Sequence, residues 1–154
     1  MSEFVHLHLH TEFSLLDGAC RIDELLDEAV RQKMPAIAVT EHGNMFSSVI
    51  FHDHARARGL NPILGCEVNV VRKDASAAFD HLVLLAANKE GYQNLIRLVS
   101  EGHLRSASQH GSAITATQIA ERSKGLIALT GCLGGVAAQR ILGYGTASGA
   151  TVLG

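Results

Sequence analysis

Short apolar runs that alternate with amphipathic stretches constrain this chain more than any other feature. Ala36–Thr40 is almost wholly apolar, as suits a strand covered on both faces. The segment before it places Ile22, Leu25, Leu26, Ala29 and Val30 at i, i+3, i+4, i+7 and i+8. That spacing gives a helix one apolar face, and it predicts a helix from about Arg21 to Lys33. Asp23 and Glu24 sit in its first turn and Arg31 and Lys33 in its last, as the helix dipole favours, and Pro35 stops it.

The same alternation continues along the chain. Asn44 is placed to cap a second helix reaching about Arg58, with Gly59 closing it. Asn61–Val71 reads as a strand interrupted near Gly65, and Asp80–Ala87 as another. Asn88 caps a helix with Tyr92, Leu95, Ile96 and Val99 inside. Ser106–Ser112 is loop-like, and Thr115 with Gln118 forms a capping box for a short helix. Leu126–Thr130 is a final strand, and Val136–Leu142 is helical. This order predicts an α/β fold with a largely parallel sheet or a barrel. The Gly-, Ala- and Ser-rich stretch from Gly143 to Gly154 lacks an amphipathic period. It reads as a flexible or truncated end after a domain covering residues 1–142.

Composition narrows the function. The 154 residues, 47% of them hydrophobic, suffice for one domain with a real core. Thirteen Lys and Arg against fifteen Asp and Glu exclude a strongly basic nucleic-acid binder, so any contact with DNA has to be local. No run approaches the roughly 20 apolar residues that cross a bilayer, and no signal-peptide core opens the chain. Cys20, Cys66 and Cys132 are odd in number and contain no CxxC pair, which fits a reducing compartment. The expected location is the cytoplasm, with no membrane partner.

Nine His in a near-neutral chain ask for a metal or proton-transfer role. Phe4–His10 reads as a strand with Phe4, His6, His8 and His10 on one face, so His8 and His10 can grip one ion together. Asp17 follows in the next loop; a turn residue before Gly18 is its other reading. His42 ends the second strand, where plain helix-terminal polarity would also account for it and Glu41. Glu67 lies in the third strand. Imidazole and carboxylate at successive strand ends form the ligand set of a Zn or Mn site. His81 starts the fourth strand, as a ligand or an edge residue. Cys132 follows Thr130-Gly131 and offers either a thiolate or a small buried side chain. His52 and His54 read as surface or packing residues without a useful carboxylate, and His103 and His110 as exposed. Phosphate-loop, dinucleotide and GxSxG signatures are absent, and aromatics do not interleave with Lys or Arg.

Phe4–Gly18, with its His6-Leu7-His8-Leu9-His10-Thr11 core, resembles the opening motif of the polymerase and histidinol phosphatase (PHP) domain. The version it resembles stands at the N-terminus of bacterial DNA polymerase III alpha subunits. Met34–Phe46, Pro62–Val68, His81–Asn88 with Gly91-Tyr92, and Gly125–Gly135 are similar to the family's later motifs, in the same order. The resemblance implies a distorted (β/α)7 barrel, here apparently truncated, with up to three divalent metal ions at one rim and fewer expected in this chain. It implies His8, His10, Asp17, His42, Glu67, His81 and Cys132 as ligands. It further implies metal-dependent phosphoester hydrolysis, of the 3′–5′ exonuclease type in polymerases with an intact site. Structural support without turnover, or a free-standing phosphatase, are the other roles the family offers. DNA and further polymerase subunits are the implied partners. Glu41 stands where the family usually carries Asp, and no Asp-x-His closes the motif series. The half barrel this implies has an open sheet edge through which copies could pair, and marginal stability is expected.

Overall fold

The computed structural model describes residues 4–71, 79–105, 112–131 and 133–144. Its elements are α1 (Ile22–Arg31), β1 (Ala36–His42), α2 (Ser48–Ala57), β2 (Asn61–Val71) and β3 (Phe79–Ala86). They are followed by α3 (Lys89–Arg105), β4 (Ala113–Ile114), α4 (Ala116–Glu121), β5 (Leu126–Leu129) and α5 (Val136–Tyr144). The architecture is mixed α/β around one five-stranded sheet, with β1-β2-β3-β5 in order and β4 beside β2.

The sheet is less parallel than the alternation of elements predicts. β1 and β4 run parallel to β2, but β3 is antiparallel to both β2 and β5. Too few residues separate β2 from β3 for a crossover helix, so the chain has to turn back beside β2. The reversal matters for function, because the start of β3 meets the rim where β1 ends.

Period-two alternation sorts the side chains onto two faces. Ile37 and Val39 of β1 point to α1 and α2, forming a core with Ile22, Leu26, Phe51 and Ala55. Cys66, Val68 and Val70 of β2 and Leu84 of β3 join Leu95, Leu98 and Val99 of α3. The opposite face holds a smaller cluster of Ala38, Val83 and Leu85, with Ile63 and Leu129 against it. His42, Glu67 and His81 fall in the same alternation class as this second set.

Several local signals give the elements expected. The Thr115–Gln118 capping box is present in full, and Asn88 Oδ1 accepts the Gly91 N–H at the start of α3. α1 ends at a Schellman turn with Lys33 at φ 59°: Met34 N–H donates to Ala29 O and Lys33 N–H to Val30 O. Pro35 therefore follows a stop already made. Asn44 bonds the Phe46 N–H instead of capping α2, which starts later, after Ser47. β2 runs through Gly65 unbroken; the glycine is there because a Cβ would stand 2.7 Å from Leu84 O and 2.6 Å from Leu85 Cδ2. On α3, Leu98 lies inside and Ile96 is exposed, reversing the expectation for Ile96.

Phe4–His10 is not a regular strand and bends at His8. Ala38 N–H donates to His6 O and Thr40 N–H to Leu9 O, so three residues of this segment oppose two of β1. The extra residue breaks the ladder as a bulge does. Thr40 repairs it: its hydroxyl accepts the Leu9 N–H at 2.8 Å and donates to Leu9 O at 3.0 Å. The segment thus shields the outer edge of β1. The stretch 143–154 lies outside the described residues except for its first two, and Ser106–Gly111 of the expected loop lies outside them entirely.

Candidate metal centre

The centre is built around one carboxylate. Glu67 lies on β2, opposite His42 in the β1 register, and its side chain is only 4% exposed. His8 Nε2 approaches its Oε2 at 2.5 Å and His10 Nε2 at 3.4 Å. Its Oε1 faces His81 Nδ1 at 3.0 Å and His42 Nδ1 at 3.4 Å. Two pairs of imidazoles therefore address the two oxygens of one buried carboxylate. His81 gets there because β3 is antiparallel: its residue pairs with Asn69, two positions past Glu67. The His81 N–H is held by Gly134 O at 2.9 Å, in the Gly-rich turn before α5.

The bulged N-terminal segment delivers His8 and His10 as a pair. Their Nε2 atoms are 3.1 Å apart and their rings meet edge to face. The His10 ring stacks on His42, with centroids 3.9 Å apart and planes 10° from parallel. His6 points elsewhere, against Phe4. Asp17 is 66% exposed and reaches the group only through His42, its Oδ2 lying 3.4 Å from His42 Nε2. The loop that carries it closes tightly. A Cβ at Gly18 would lie 1.7 Å from Thr11 O, so the residue after Asp17 has to be glycine. Cys132 lies outside the described residues.

Electrostatics follow from this crowding. Burial pushes Glu67 up, but hydrogen bonds from His10 and His8 and the nearby charges of His42 and His8 outweigh it and hold the carboxyl at about 2. His42 is pushed below its ordinary value by burial and by His10 and His81, against the pull of Glu67 and Asp17. These shifts favour the carboxylate form of Glu67 and the neutral form of His42, which are the forms that donate lone pairs to a cation. One ligand atom each from His8, His10 and Glu67 lies within 4.8 Å of the others. His10 Nδ1 is buried without a hydrogen-bond partner, so the ring meets His8 and Glu67 through Nε2. Mixed imidazole and carboxylate donors at this spacing fit a divalent cation.

A supporting shell escapes the sequence reading. Glu41 is 1% exposed and faces away from the centre, toward the start of α2. Its carboxylate accepts from Thr11 N–H at 3.1 Å, Ser47 Oγ at 3.0 Å, and the hydroxyls of Thr11 and Ser14. Ser14 Oγ in turn accepts the His42 N–H at 3.1 Å. The signal in the sequence is a carboxylate directly after the apolar run of β1. His54, expected to lack a carboxylate, pairs with Asp23 of α1 at 2.8 Å, a partner 31 residues away. His52 pairs with its neighbour Asp53. His103 is exposed as expected, yet its Nε2 donates to Gly43 O at 2.7 Å.

Comparison with known proteins places this centre in context. The chain is 41% identical over 151 residues to the DNA polymerase III subunit alpha of Thermus aquaticus, covering 91% of this chain and 12% of that one. It is 36% identical over 149 residues to that of Borreliella burgdorferi, covering 92% and 13%. It is 41% identical over 155 residues to that of Deinococcus radiodurans, covering 91% and 12%. The chain therefore spans about an eighth of the length of these curated relatives. A sequence profile of the PHP domain matches residues 6–151. The match covers nearly the whole chain and takes in every residue of the carboxylate-centred cluster, and this protein belongs to the PHP domain family.

Proposed function

We propose that this chain is a metal-dependent phosphoesterase module of a bacterial DNA polymerase III alpha subunit, with a 3′–5′ exonuclease-type site. The observation that carries the reading is the convergence of four imidazoles on the two oxygens of buried Glu67. His8, His10 and Glu67 would hold one divalent ion, and His42 and His81 lie on the other oxygen of the same carboxylate, with Asp17 at the rim. An ion held there would lower the pKa of a bound water and would offset the charge that develops on a phosphoester. The chain's own residues supply the rest. The His10–His42 stack fixes both rings, the low Glu67 pKa keeps its charge at neutral pH, and the bulge aims His8 and His10 at one point. No Ser or Cys nucleophile is required.

The relatives' name supports the polymerase setting, and with it DNA, further polymerase subunits and a cytoplasmic location. No helix among the described residues is long and apolar enough to cross a membrane. Pairing of copies through the β5 edge belongs to the same proposal, since the β1 edge is covered by the N-terminal segment.

The test is metal analysis of the purified chain with His8→Ala and His42→Ala controls, followed by hydrolysis of a 3′-labelled single strand. Bound Zn or Mn that is lost in His8→Ala is expected. Absence of bound metal in the parent chain after loading would overturn the reading.

A further inference from the structure

Beside the carboxylate the sheet forks. β1 accompanies β2 as far as the His42–Glu67 pair, and β4 takes over at Asn69 and Val70. The fork leaves a cleft of about 190 Å³ lined by His42, Gly43, Glu67, Asn69, His103 and Ser112. That is room for about six waters, and below the roughly 300 Å³ at which pockets begin to enclose a whole drug-sized ligand. A fragment of a ligand fits there while the remainder stays outside. Crevices where a sheet changes neighbours are habitual ligand seats in α/β folds.

The chemistry of the walls selects the fragment. Asn69 sits two residues past Glu67 on the same strand, and so on the same face. Its amide is a neutral donor, and so is the Ser112 hydroxyl, whose long 3.4 Å bond to Gly43 O leaves it able to turn to a better acceptor. The backbone acceptor at this turn, Gly43 O, is already occupied by His103 Nε2 at 2.7 Å and Ser112 Oγ at 3.4 Å. The one negatively charged acceptor among these lining residues is the Glu67 carboxylate, which would repel an anion unless a cation neutralises it. A pocket that offers amide and hydroxyl donors, and whose one negative charge would be shared with a metal, suits an anionic oxygen cluster, admitted only with the metal.

We propose that this cleft is a phosphoryl subsite in which Asn69 and Ser112 hold the oxygens of a phosphoester, with His103 fixing the turn that forms its wall. The inference rests on the metal-dependent reading above and names the residues that bind the phosphoryl group there.

The experiment is calorimetric titration of inorganic phosphate into the full 154-residue chain, metal-free and Mn-loaded, for the parent, Asn69→Leu and Ser112→Ala. Leu keeps the branched four-atom outline of Asn while removing the donor, and Ser112→Ala tests the opposite wall should Asn69→Leu not fold. Phosphate binding only to the loaded parent is expected, weakened roughly tenfold or more in each folded variant with metal content unchanged. Parent-like affinity in the variants would overturn the subsite while leaving the metal centre standing, and so would equal binding to the metal-free chain. A parent chain that takes up no metal would overturn the phosphoesterase reading itself, and this inference with it.

Discussion

Replacing Glu41 tests whether the loop carrying Asp17 is anchored by one buried carboxylate. Four donors converge on it: one backbone N–H, from Thr11, and the hydroxyls of Thr11, Ser14 and Ser47. In Glu41→Ala the Thr11 N–H cannot turn elsewhere, and an orphaned buried donor costs about 1–3 kcal/mol. The hydroxyls can rotate, so each loses only the surplus of a charged over a neutral acceptor, on the order of 0.5–1 kcal/mol. The expected destabilisation is about 4 kcal/mol. For a chain of this size it would lower the melting temperature by roughly 8–16 °C. Glu41→Gln keeps the volume but replaces one acceptor oxygen with a donor, and about half that loss is expected. Urea titration followed by far-UV circular dichroism measures both. The Ser14 link to the His42 N–H adds a second expectation, that the Gln variant binds metal more weakly while remaining folded. If both variants stay within about 1 kcal/mol of the parent, the anchoring argument fails.

Three other expectations follow from the geometry. The metal-free chain should lose stability in acid. His42 is depressed in the fold, so its contribution is complete above its ordinary value of 6.5 and lost as pH falls through its lower folded value. Glu67 adds a second loss between about 4.5 and about 2, and a stability profile that is flat from pH 7 to 3 would contradict both. Burial raises the Cys66 thiol to about 12, whereas Cys20 is exposed. Site-resolved alkylation of the native chain should modify Cys20 and spare Cys66 until the chain unfolds. Gly65→Ala should cost about 1–3 kcal/mol, because the new methyl meets the β3 backbone and Thr40; a parent-like melt would show that β2 and β3 separate more readily than their register implies.

The sequence by itself located most of the helices and strands and the residue types gathered at the centre. Apolar periodicity located α1 and β1, the Thr115–Gln118 pair located α4, and the strand-end His and Glu residues singled out the side chains that meet at Glu67. These are local signals, carried by residues a few positions apart. What only the tertiary structure decided depends on which strands become neighbours. The reversal of β3 brings His81 to Glu67, and the bulge against Thr40 aims His8 and His10. The turn of Glu41 toward Ser47 and the fork that opens beside Asn69 are likewise set by pairing. Period-two alternation assigns each side chain to a face, but a strand's neighbours and direction are fixed by contacts far apart along the chain, and no local pattern encodes those.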